Sequence, residues 1–362
     1  NDYNLNIPRY VDSSEKSESW DIYASMFGGI PTSEINEYET VWKVFPSLKN
    51  QLFEKVNDSY CKLNLSNIKL AIQNNEEVKD FINKYNLSFA NLNSYLTNEL
   101  IENAENVSIS KEEEILSKYI FDRLENIPLV DKYEVYELLD ESWNKMTIDL
   151  EMIQTEGFQS VKIVDPNMIV KKKNDKETEV QDGWIGHIIP FEIAQKTFLK
   201  KELDSLNNHE SRLSEIDSEL DEIVESLSEE EKEMDFFDSE KNVIIASVIS
   251  KTVKDNDLEQ ETKQELKQYQ DLQTEKKQLN KTIKTEHESL QMQTKQIIES
   301  LSDEQAKEAL NTKWIQPFVS SLNDLPINII NSLTSHIETL SKKYDETFSD
   351  LEKEIKETEK AL

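Results

Sequence analysis

Leucines spaced seven residues apart are the feature that most constrains the fold of this chain. Four of them keep one register over three heptads: Leu206, Leu213, Leu220 and Leu227. Ile216 and Ile223 each follow one of these leucines by three residues, which completes an apolar a/d seam. Such a seam predicts a long helix whose apolar edge must be covered by another helix.

A second run with the same spacing predicts the partner helix. The run has these apolar members: Tyr269, Ile283, Leu290 and Ile297 on one frame, with Leu272 and Leu279 on the companion frame. Lys276 interrupts the first frame. Two helices of about 40 residues would each reach about 60 Å at about 1.5 Å rise per residue. We predict a long antiparallel coiled-coil hairpin over residues 193–303, whose tip must cover the apolar stretch from Val243 to Ile249.

The C-terminal segment, residues 304–362, carries the most regular stripe. Apolar side chains recur three and four residues apart: Ile330, Leu333, Ile337, Leu340, Tyr344, Phe348, Leu351 and Ile355. This spacing predicts one amphipathic helix from about Ile327 to Leu362. A lone helix cannot hide such a stripe, so it must pack on the chain's own hairpin, at the seam of Leu213, Leu220 and Leu227, or on helices of another protein. We expect its first half, around Leu333 to Leu340, to pack on the hairpin.

The first half of the chain is predicted to be a helical domain with a small β insert. Gly28, Gly29 and Pro31 separate an extended segment, residues 1–31, from a helical domain over residues 32–192. Within this domain one helical face is predicted to be core: Tyr133, Tyr136, Leu139 and Trp143. Near residues 158–190 the β-branched content predicts a β-hairpin or a three-stranded insert. With five Gly and eight Pro in 362 residues, the chain is predicted to be mainly α.

Charge and cysteine content narrow the classes of partner. The chain has 41 Lys plus Arg against 73 Asp plus Glu, a formal net charge of -32. Such a surface repels phosphates, which makes free nucleic acid and anionic membranes poor partners. The basic cluster Lys171–Lys173 is followed by acidic residues, so a solvated turn is favoured over a nucleic-acid clamp. No membrane segment is predicted, and the single Cys61 is consistent with a cytoplasmic protein.

The residue patterns do not predict an active site. His187, His209, His287 and His336 are scattered, without a second His or Cys at ligand spacing. Carboxylates are so abundant that choosing a general acid among them has no basis, and the Gly28–Gly29 pair lacks the rest of a phosphate loop. We therefore predict no catalytic, cofactor-binding or metal-binding residues.

Five blocks together resemble a known family. In chain order they are "NDYNLNIPRYVD", "DIYASMFGGIPTSEI", "ENIPLVDKYEVYELLDESW", "DGWIGHIIPFEIA" and "HIETLSKKYDETFSDLEKEI". This order resembles the region beyond the catalytic domain in modification (methylase) subunits of type I restriction-modification systems. The resemblance implies that the chain is the non-catalytic C-terminal region of an adenine N6-methyltransferase, cut where the methylase domain ends. The family's glycine-rich S-adenosylmethionine loop and Asn-Pro-Pro-aromatic motif are not in this sequence, so S-adenosylmethionine is expected in the parent enzyme alone.

The resemblance also implies partners. Two modification subunits would hold one specificity subunit, which reads the DNA, with a restriction subunit as an optional further component. DNA would be reached only through the full complex. The distal half of the C-terminal helix is expected to contact the partner subunit, through Tyr344, Phe348, Leu351 and Ile355.

Two residues of the opening segment are also expected to take part in the parent enzyme. Arg9 and Tyr10 are expected to lie against the methylase cleft, where they would help to hold DNA or the flipped adenine. The alternative for this segment is an extended linker, with Ile7 and Tyr10 packed on the core. The alternative for the whole chain is a free-standing coiled-coil structural or adaptor protein.

Overall fold

The computed structural model of the chain describes residues 20–64, 67–173, 176–254 and 259–361. These residues form two compact units. The described residues of the first unit come from 20–94, 110–143 and 318–361, and those of the second from 95–109 and 144–317. The predicted mainly α class is confirmed, because helices dominate and the strands form only small sheets. Within the described ranges, no helix has the length and apolar character needed to cross a membrane.

The helices are short at the start of the chain and long in its second half. In chain order they begin with α1 (Ile22–Phe27), α2 (Thr32–Asn36), α3 (Glu39–Val44), α4 (Pro46–Leu52), α5 (Ile68–Asn74), α6 (Glu76–Phe89), α7 (Leu92–Leu96), α8 (Ile109–Leu124) and α9 (Lys132–Glu156). They continue with α10 (Phe191–Phe198), α11 (Lys200–Ser226), α12 (Glu229–Lys232), α13 (Ala246–Thr252), α14 (Gln260–Ser300), α15 (Asp303–Leu310), α16 (Gln316–Lys343) and α17 (Phe348–Ala361). Single turns of wider or tighter helix lie at Thr97–Glu102, Phe158–Lys162 and Asn311–Ile315.

The strands form three small antiparallel sheets. They are β1 (Ile30–Pro31), β2 (Phe53–Lys55), β3 (Tyr60–Leu63), β4 (Val164–Lys173), β5 (Lys176–Gly186), β6 (Phe237–Asp238) and β7 (Val243–Ile244). The first sheet has the order β1-β3-β2, β4 pairs with β5, and β6 pairs with β7. The β4–β5 hairpin confirms the predicted β insert, whereas the first sheet was not predicted.

Aromatic side chains fill much of the core of the first unit. Phe45 and Phe81 meet edge to face with ring centroids 5.6 Å apart. The Tyr85 ring is fully buried, and its hydroxyl donates a 2.9 Å hydrogen bond to the backbone oxygen of Leu322, which ties α6 to α16. Burial raises the pKa of Tyr85, so this hydroxyl remains a donor at physiological pH. Leu333, Ile337 and Leu340 of α16 are buried, as expected for packing within the chain, but they belong to the first unit and not to the unit that contains the predicted hairpin seam.

The predicted single C-terminal helix is wrong, because α16 ends at Lys343 and a new helix, α17, begins at Phe348. Thr347 explains the break. Its Oγ1 accepts a 3.2 Å hydrogen bond from the backbone N–H of Asp350 and donates a 2.6 Å bond to the Asp350 carboxylate. This reciprocal bonding is typical of a helix N-terminus, so α17 begins as a separate helix.

The two long helices of the second unit, α11 and α14, run antiparallel and in contact. Ser226 near the end of α11 donates to Glu265 near the start of α14, whereas Ser205 donates to Glu286 further along α14. Residues late in α11 therefore face residues early in α14, and residues early in α11 face residues later in α14. α11 has 27 residues rather than the predicted 40, because Leu199 separates it from α10 and Leu227 leaves the helical conformation.

The connection between α11 and α14 covers its own apolar residues. Ile244 and Ile249, from the stretch predicted to need covering, are buried with Phe236, Phe237 and the end of the α11–α14 seam. The β6–β7 pair and α13 supply these side chains. The tip therefore extends the hydrophobic cluster of the α11–α14 seam, while Val243 remains 40% exposed.

The β4–β5 hairpin packs on α14 in the second unit. Lys295 of α14 lies over the Trp184 ring, with its Nζ 3.2 Å from the centroid. Gly186 ends β5 where a Cβ atom would approach the backbone oxygen of Ile189 to 1.8 Å, so no larger residue fits there without moving the backbone. These contacts fix the hairpin against the long helix.

Candidate functional site

The candidate site lies in the first unit, where α17 exposes an apolar edge. Phe348, Leu351 and Ile355 are 53%, 44% and 58% exposed and lie on one side of the helix, because they are three and four residues apart. We call these three side chains the α17 stripe. The cap at Thr347 holds the first turn of the helix that carries it.

Tyr344, the fourth residue predicted to contact a partner, is only 4% exposed. Its hydroxyl donates a 2.5 Å hydrogen bond to Glu34 and accepts a 3.1 Å bond from the backbone N–H of Asp21. Burial and the bond to Glu34 raise the pKa of the Tyr344 hydroxyl. In the isolated chain Tyr344 thus joins α1 and α2 to the end of α16, and its predicted partner contact remains a prediction.

Lys343 and Trp20 complete the surroundings of Tyr344. Lys343 Nζ lies 3.0 Å from a Glu34 carboxylate oxygen, and both side chains are largely buried. Burial lowers the pKa of Lys343, but the hydrogen bonds and the charge attraction that it receives from Glu34 and Tyr344 together outweigh burial, so the net pKa is raised. The Trp20 ring meets Tyr344 edge to face, with centroids 5.9 Å apart. This buried ion pair fixes the position of the residues that precede α17.

Helix α1 lies next to the start of α17 and is held by Asp21. The Asp21 carboxylate accepts a 2.8 Å bond from the backbone N–H of Ala24 and a 3.0 Å bond from the Tyr60 hydroxyl. Gly28 ends the helix with φ +83°, and a Cβ atom there would lie 3.3 Å from Thr347 Cγ2. A side chain at residue 28 would therefore strain the backbone and press on the cap of α17.

A pocket opens between α1, β3 and the first turn of α17. Its volume is about 540 Å³. Its aromatic wall comes from Tyr23, Phe27 and Tyr60, and Asp345, Asp350 and Lys62 supply charged groups. The Tyr23 ring lies 5.0 Å from Phe27 and 4.7 Å from Tyr60, centroid to centroid. Tyr23 and Phe27 are also exposed, so α1 presents two large aromatic side chains in the same unit as the α17 stripe.

Cys61, the single cysteine, also lines this pocket. Its thiol lies 3.8 Å from the Thr32 hydroxyl, and β3 pairs it with Ile30 and Lys55. No histidine lines the pocket. The surroundings of Cys61 therefore provide a packing position rather than an activated nucleophile.

The basic cluster predicted from the sequence belongs to the second unit and not to this site. Lys171 and Lys172 are exposed on the β4–β5 hairpin and face Asp182 and Glu177 at 3.7 and 3.3 Å, as in a solvated turn. Arg9 and Tyr10 are outside the described residues. Over the described parts of the chain, no group of three His, Cys, Asp or Glu side chains is placed to hold a metal ion.

Several residues of the site were not recognised from the sequence. Asp21 and Glu34 were absent from the prediction, although Asp21 precedes a short helix as a capping residue does. The α17 break also had a local signal, since Thr347 and Asp350 have the spacing of a capping pair. Glu34 had none, because its bonds to Tyr344 and Lys343 cross more than 300 residues of chain.

Comparison with known proteins does not place the chain in a family. No protein-family model, curated protein or solved structure matches it.

Proposed function

We propose that this chain is a protein-assembly module, the non-catalytic C-terminal region of a type I restriction-modification adenine N6-methyltransferase subunit. The exposed α17 stripe is the observation that carries the proposal. Three large apolar side chains on one helical edge are hidden on association with another apolar surface, and burying them favours binding. The short sequence blocks that resemble the modification subunits support the choice of family.

In this proposal the specificity subunit is the partner of α17. The chain works in the cytoplasm and reaches DNA only through the assembled complex, with a second modification subunit on the other side of the specificity subunit. S-adenosylmethionine belongs to the methylase domain of the parent enzyme. A net charge of -32 suits a module that contacts protein and stays away from phosphates.

The α11–α14 pair has a separate role in the proposal. We interpret it as an antiparallel coiled-coil hairpin that acts as a rigid support. Its cross-helix ion pairs and its self-covered tip favour a structural role over a further binding site. At about 1.5 Å per residue, α14 with its 41 residues spans about 60 Å.

Co-purification tests the proposal. The chain and a type I specificity subunit from the same host are co-expressed, with Phe348→Ala and Ile355→Ala combined in one variant. We expect the variant to lose co-elution while its melting temperature stays within about 2 °C of the unmodified chain, since both side chains are exposed. Leu87→Ala is the control, because Leu87 is an apolar residue on α6 of the same unit and is at least as exposed as Phe348 and Ile355.

Each outcome of this test has a definite meaning. Co-elution that survives the double substitution contradicts docking through α17. An unmodified chain that forms no complex with the specificity subunit favours the free-standing coiled-coil adaptor. A large fall in melting temperature means that the stripe is part of the core.

A further inference from the structure

The α17 stripe fits a heptad repeat, and this repeat also gives the heptad positions of the charged residues beside the stripe. With Phe348 at position a, Leu351 falls at d, Ile355 at the next a and Thr358 at the next d. The positions that flank such a seam, e and g, contain Glu352, Glu354 and Glu359. Both borders of the stripe are therefore acidic.

The basic residues of α17 lie away from these borders. Lys353 and Lys360 fall at position f, opposite the seam, and Lys356 falls at b. Lys353 pairs with Asp350 at 3.4 Å, and Lys356 approaches Glu352 at 3.9 Å. No lysine of this helix therefore occupies a position that would face a docked helix.

A shallow groove confirms that the apolar and acidic groups share one surface. It has a volume of about 300 Å³ and is lined by Leu351, Ile355 and Thr358 together with Glu354 and Glu359. A helix laid along the groove would bury its apolar edge between these two carboxylates. Its own flanking side chains would then lie within reach of them.

The α11–α14 pair shows how charged side chains beside a covered seam are paired in this chain. Arg212 makes two hydrogen bonds to Glu275 of the facing helix, at 2.9 and 3.1 Å. Lys276 reaches Asp217 of the facing helix at 2.6 Å. In both cases an acid on one helix meets a base on the other.

We propose that the α17 stripe docks an amphipathic helix of another protein that carries Lys or Arg at its own flanking positions. The inference rests on the proposed docking function and specifies the chemistry of the partner. A second copy of this chain does not fit, because a parallel pair would bring Glu354 against Glu359 of the copy. An antiparallel pair would also bring glutamates together, and like charges at these positions oppose pairing.

The neighbouring pocket suits the same partner. The aromatic rings of Tyr23 and Phe27 and the carboxylates of Asp345 and Asp350 line it. Aromatic faces and carboxylates together attract a Lys or Arg side chain, although Lys62 reduces the local negative charge. A basic residue near the end of the docked helix can therefore enter the pocket.

Three designed helical peptides test the inference. They share a Leu seam and carry Lys, Gln or Glu at every e and g position, and their binding to the full chain is measured by fluorescence anisotropy. We expect the Lys peptide to bind about tenfold more tightly than the Gln peptide, with the Glu peptide weakest. The advantage should shrink when salt is raised from about 0.1 M to about 1 M.

A charge-reversed variant separates local recognition from the overall charge. Glu352→Lys, Glu354→Lys and Glu359→Lys combined should invert the order, so that the Glu peptide binds best. The control combines Asp221→Lys, Glu222→Lys and Glu225→Lys, exposed acids on α11 that give the same change in net charge. This control should keep the original order, and an inversion in the control would overturn the inference.

The remaining outcomes distinguish the inference from the docking function. If the Lys and Gln peptides bind equally and Phe348→Ala weakens both, docking stands and charge selection fails. If no peptide binds, both proposals fail. Sedimentation of the unmodified chain as a dimer that Ile355→Ala dissociates would identify a second copy as the occupant and overturn the inference.

Discussion

The seam residues of α11 and α14 are buried or partly buried, whereas the three residues of the α17 stripe are exposed. In the covered seam Ile216 is fully buried, and ion pairs to the facing helix border it. In α17, Ile355 has the same heptad role and remains mostly exposed, with glutamates alone at its borders. Similar apolar spacing therefore gives a covered seam in one region and an exposed stripe in the other. The flanking charges differ as well, because acid–base pairs border the covered seam and only glutamates border the α17 stripe. The α11–α14 seam is covered within the chain, and the α17 stripe is the surface for which we propose a partner.

The largest expected effect comes from shortening a side chain in the covered seam. Ile216→Ala should lower the free energy of unfolding of the second unit by about 2–5 kcal/mol, because it leaves a cavity among buried apolar groups. Ile355→Ala should change the stability of the first unit by no more than about 0.5 kcal/mol. Urea denaturation followed by circular dichroism measures both. Equal losses of unfolding free energy in the two variants would mean that the α17 stripe is already covered, which would contradict the difference between the two surfaces.

The cap of α17 provides a second, smaller test. Thr347→Ala removes the hydroxyl that accepts from the Asp350 N–H, and we expect a local cost of about 1 kcal/mol. The stripe would then lie on a fraying helix, and faster hydrogen exchange at Phe348 to Leu351 would show it. Thr347→Ser is the control, because it keeps the hydroxyl and removes the methyl group that approaches Gly28. Unchanged exchange in the alanine variant would mean that α17 is held by other contacts.

A third test concerns the ion pairs of the covered seam. Arg212→Met keeps the apolar stem of the side chain and removes the bonds to Glu275 and Glu219. We expect a loss of stability smaller than that of Ile216→Ala, and we expect it to decline as salt rises, because these side chains are partly exposed. The matched pair Glu275→Gln and Glu219→Gln separates the cross-helix bond from the one within α11. A loss that does not depend on salt would point to packing instead.

The heptads predicted part of the covered seam, because their pattern is local in the sequence, although Leu213 of the same frame is only partly buried. Leu206, Leu220 and Leu290 are buried as their spacing requires. Even the interruption at Lys276 is explained, since its Nζ reaches Asp217 across the seam. The extent of the helices was harder to predict. α11 is shorter than expected, because a heptad pattern does not register the backbone change at Leu199.

Other features depended on contacts that a single sequence does not display. Of the α9 face predicted to be core, Leu139 and Trp143 are buried as predicted, whereas Tyr133 is 76% exposed. The Phe121 ring contacts Tyr133 from the side and leaves most of it in solvent. Each compact unit also combines distant stretches of chain, whereas the predicted boundaries at 31, 192 and 303 divide the sequence into consecutive segments.

The candidate site was predicted in part. The spacing of Phe348, Leu351 and Ile355 predicted a shared face, and the structure leaves that face exposed. Nothing in the spacing separates Tyr344 from them, because it continues the same stripe. The separation comes from the bend after Lys343 and from the bonds to Glu34 and Asp21, which bury Tyr344. The role of the face in binding a partner remains a prediction.

The smallest expected effect is a difference in pH dependence between the two units. In the unit with the covered seam, His187 Nδ1 lies 2.6 Å from Asp165 and Nε2 lies 3.1 Å from Glu156. The hydrogen bond to Asp165 raises the pKa of His187 against a smaller opposing effect of burial. In the unit with the α17 stripe, burial lowers the pKa of His336, whose Nε2 has no hydrogen-bond partner in the described structure.

Because the two pKa shifts are opposite, the stabilities of the two units should depend on pH in opposite directions. The folded second unit holds the His187 proton more tightly than the unfolded chain, so its stabilisation is complete below about pH 6.5 and is lost as pH rises through the folded pKa. The first unit behaves in the opposite way. Below about pH 6.5 the unfolded chain takes up a proton that folded His336 resists, so the free energy of unfolding decreases as the pH is lowered. Urea midpoints between pH 5 and pH 8, read separately for each unit, should shift in opposite directions. His187→Gln and His336→Gln should each flatten the response of their own unit, and a parallel shift of both units in these variants would contradict the assignment.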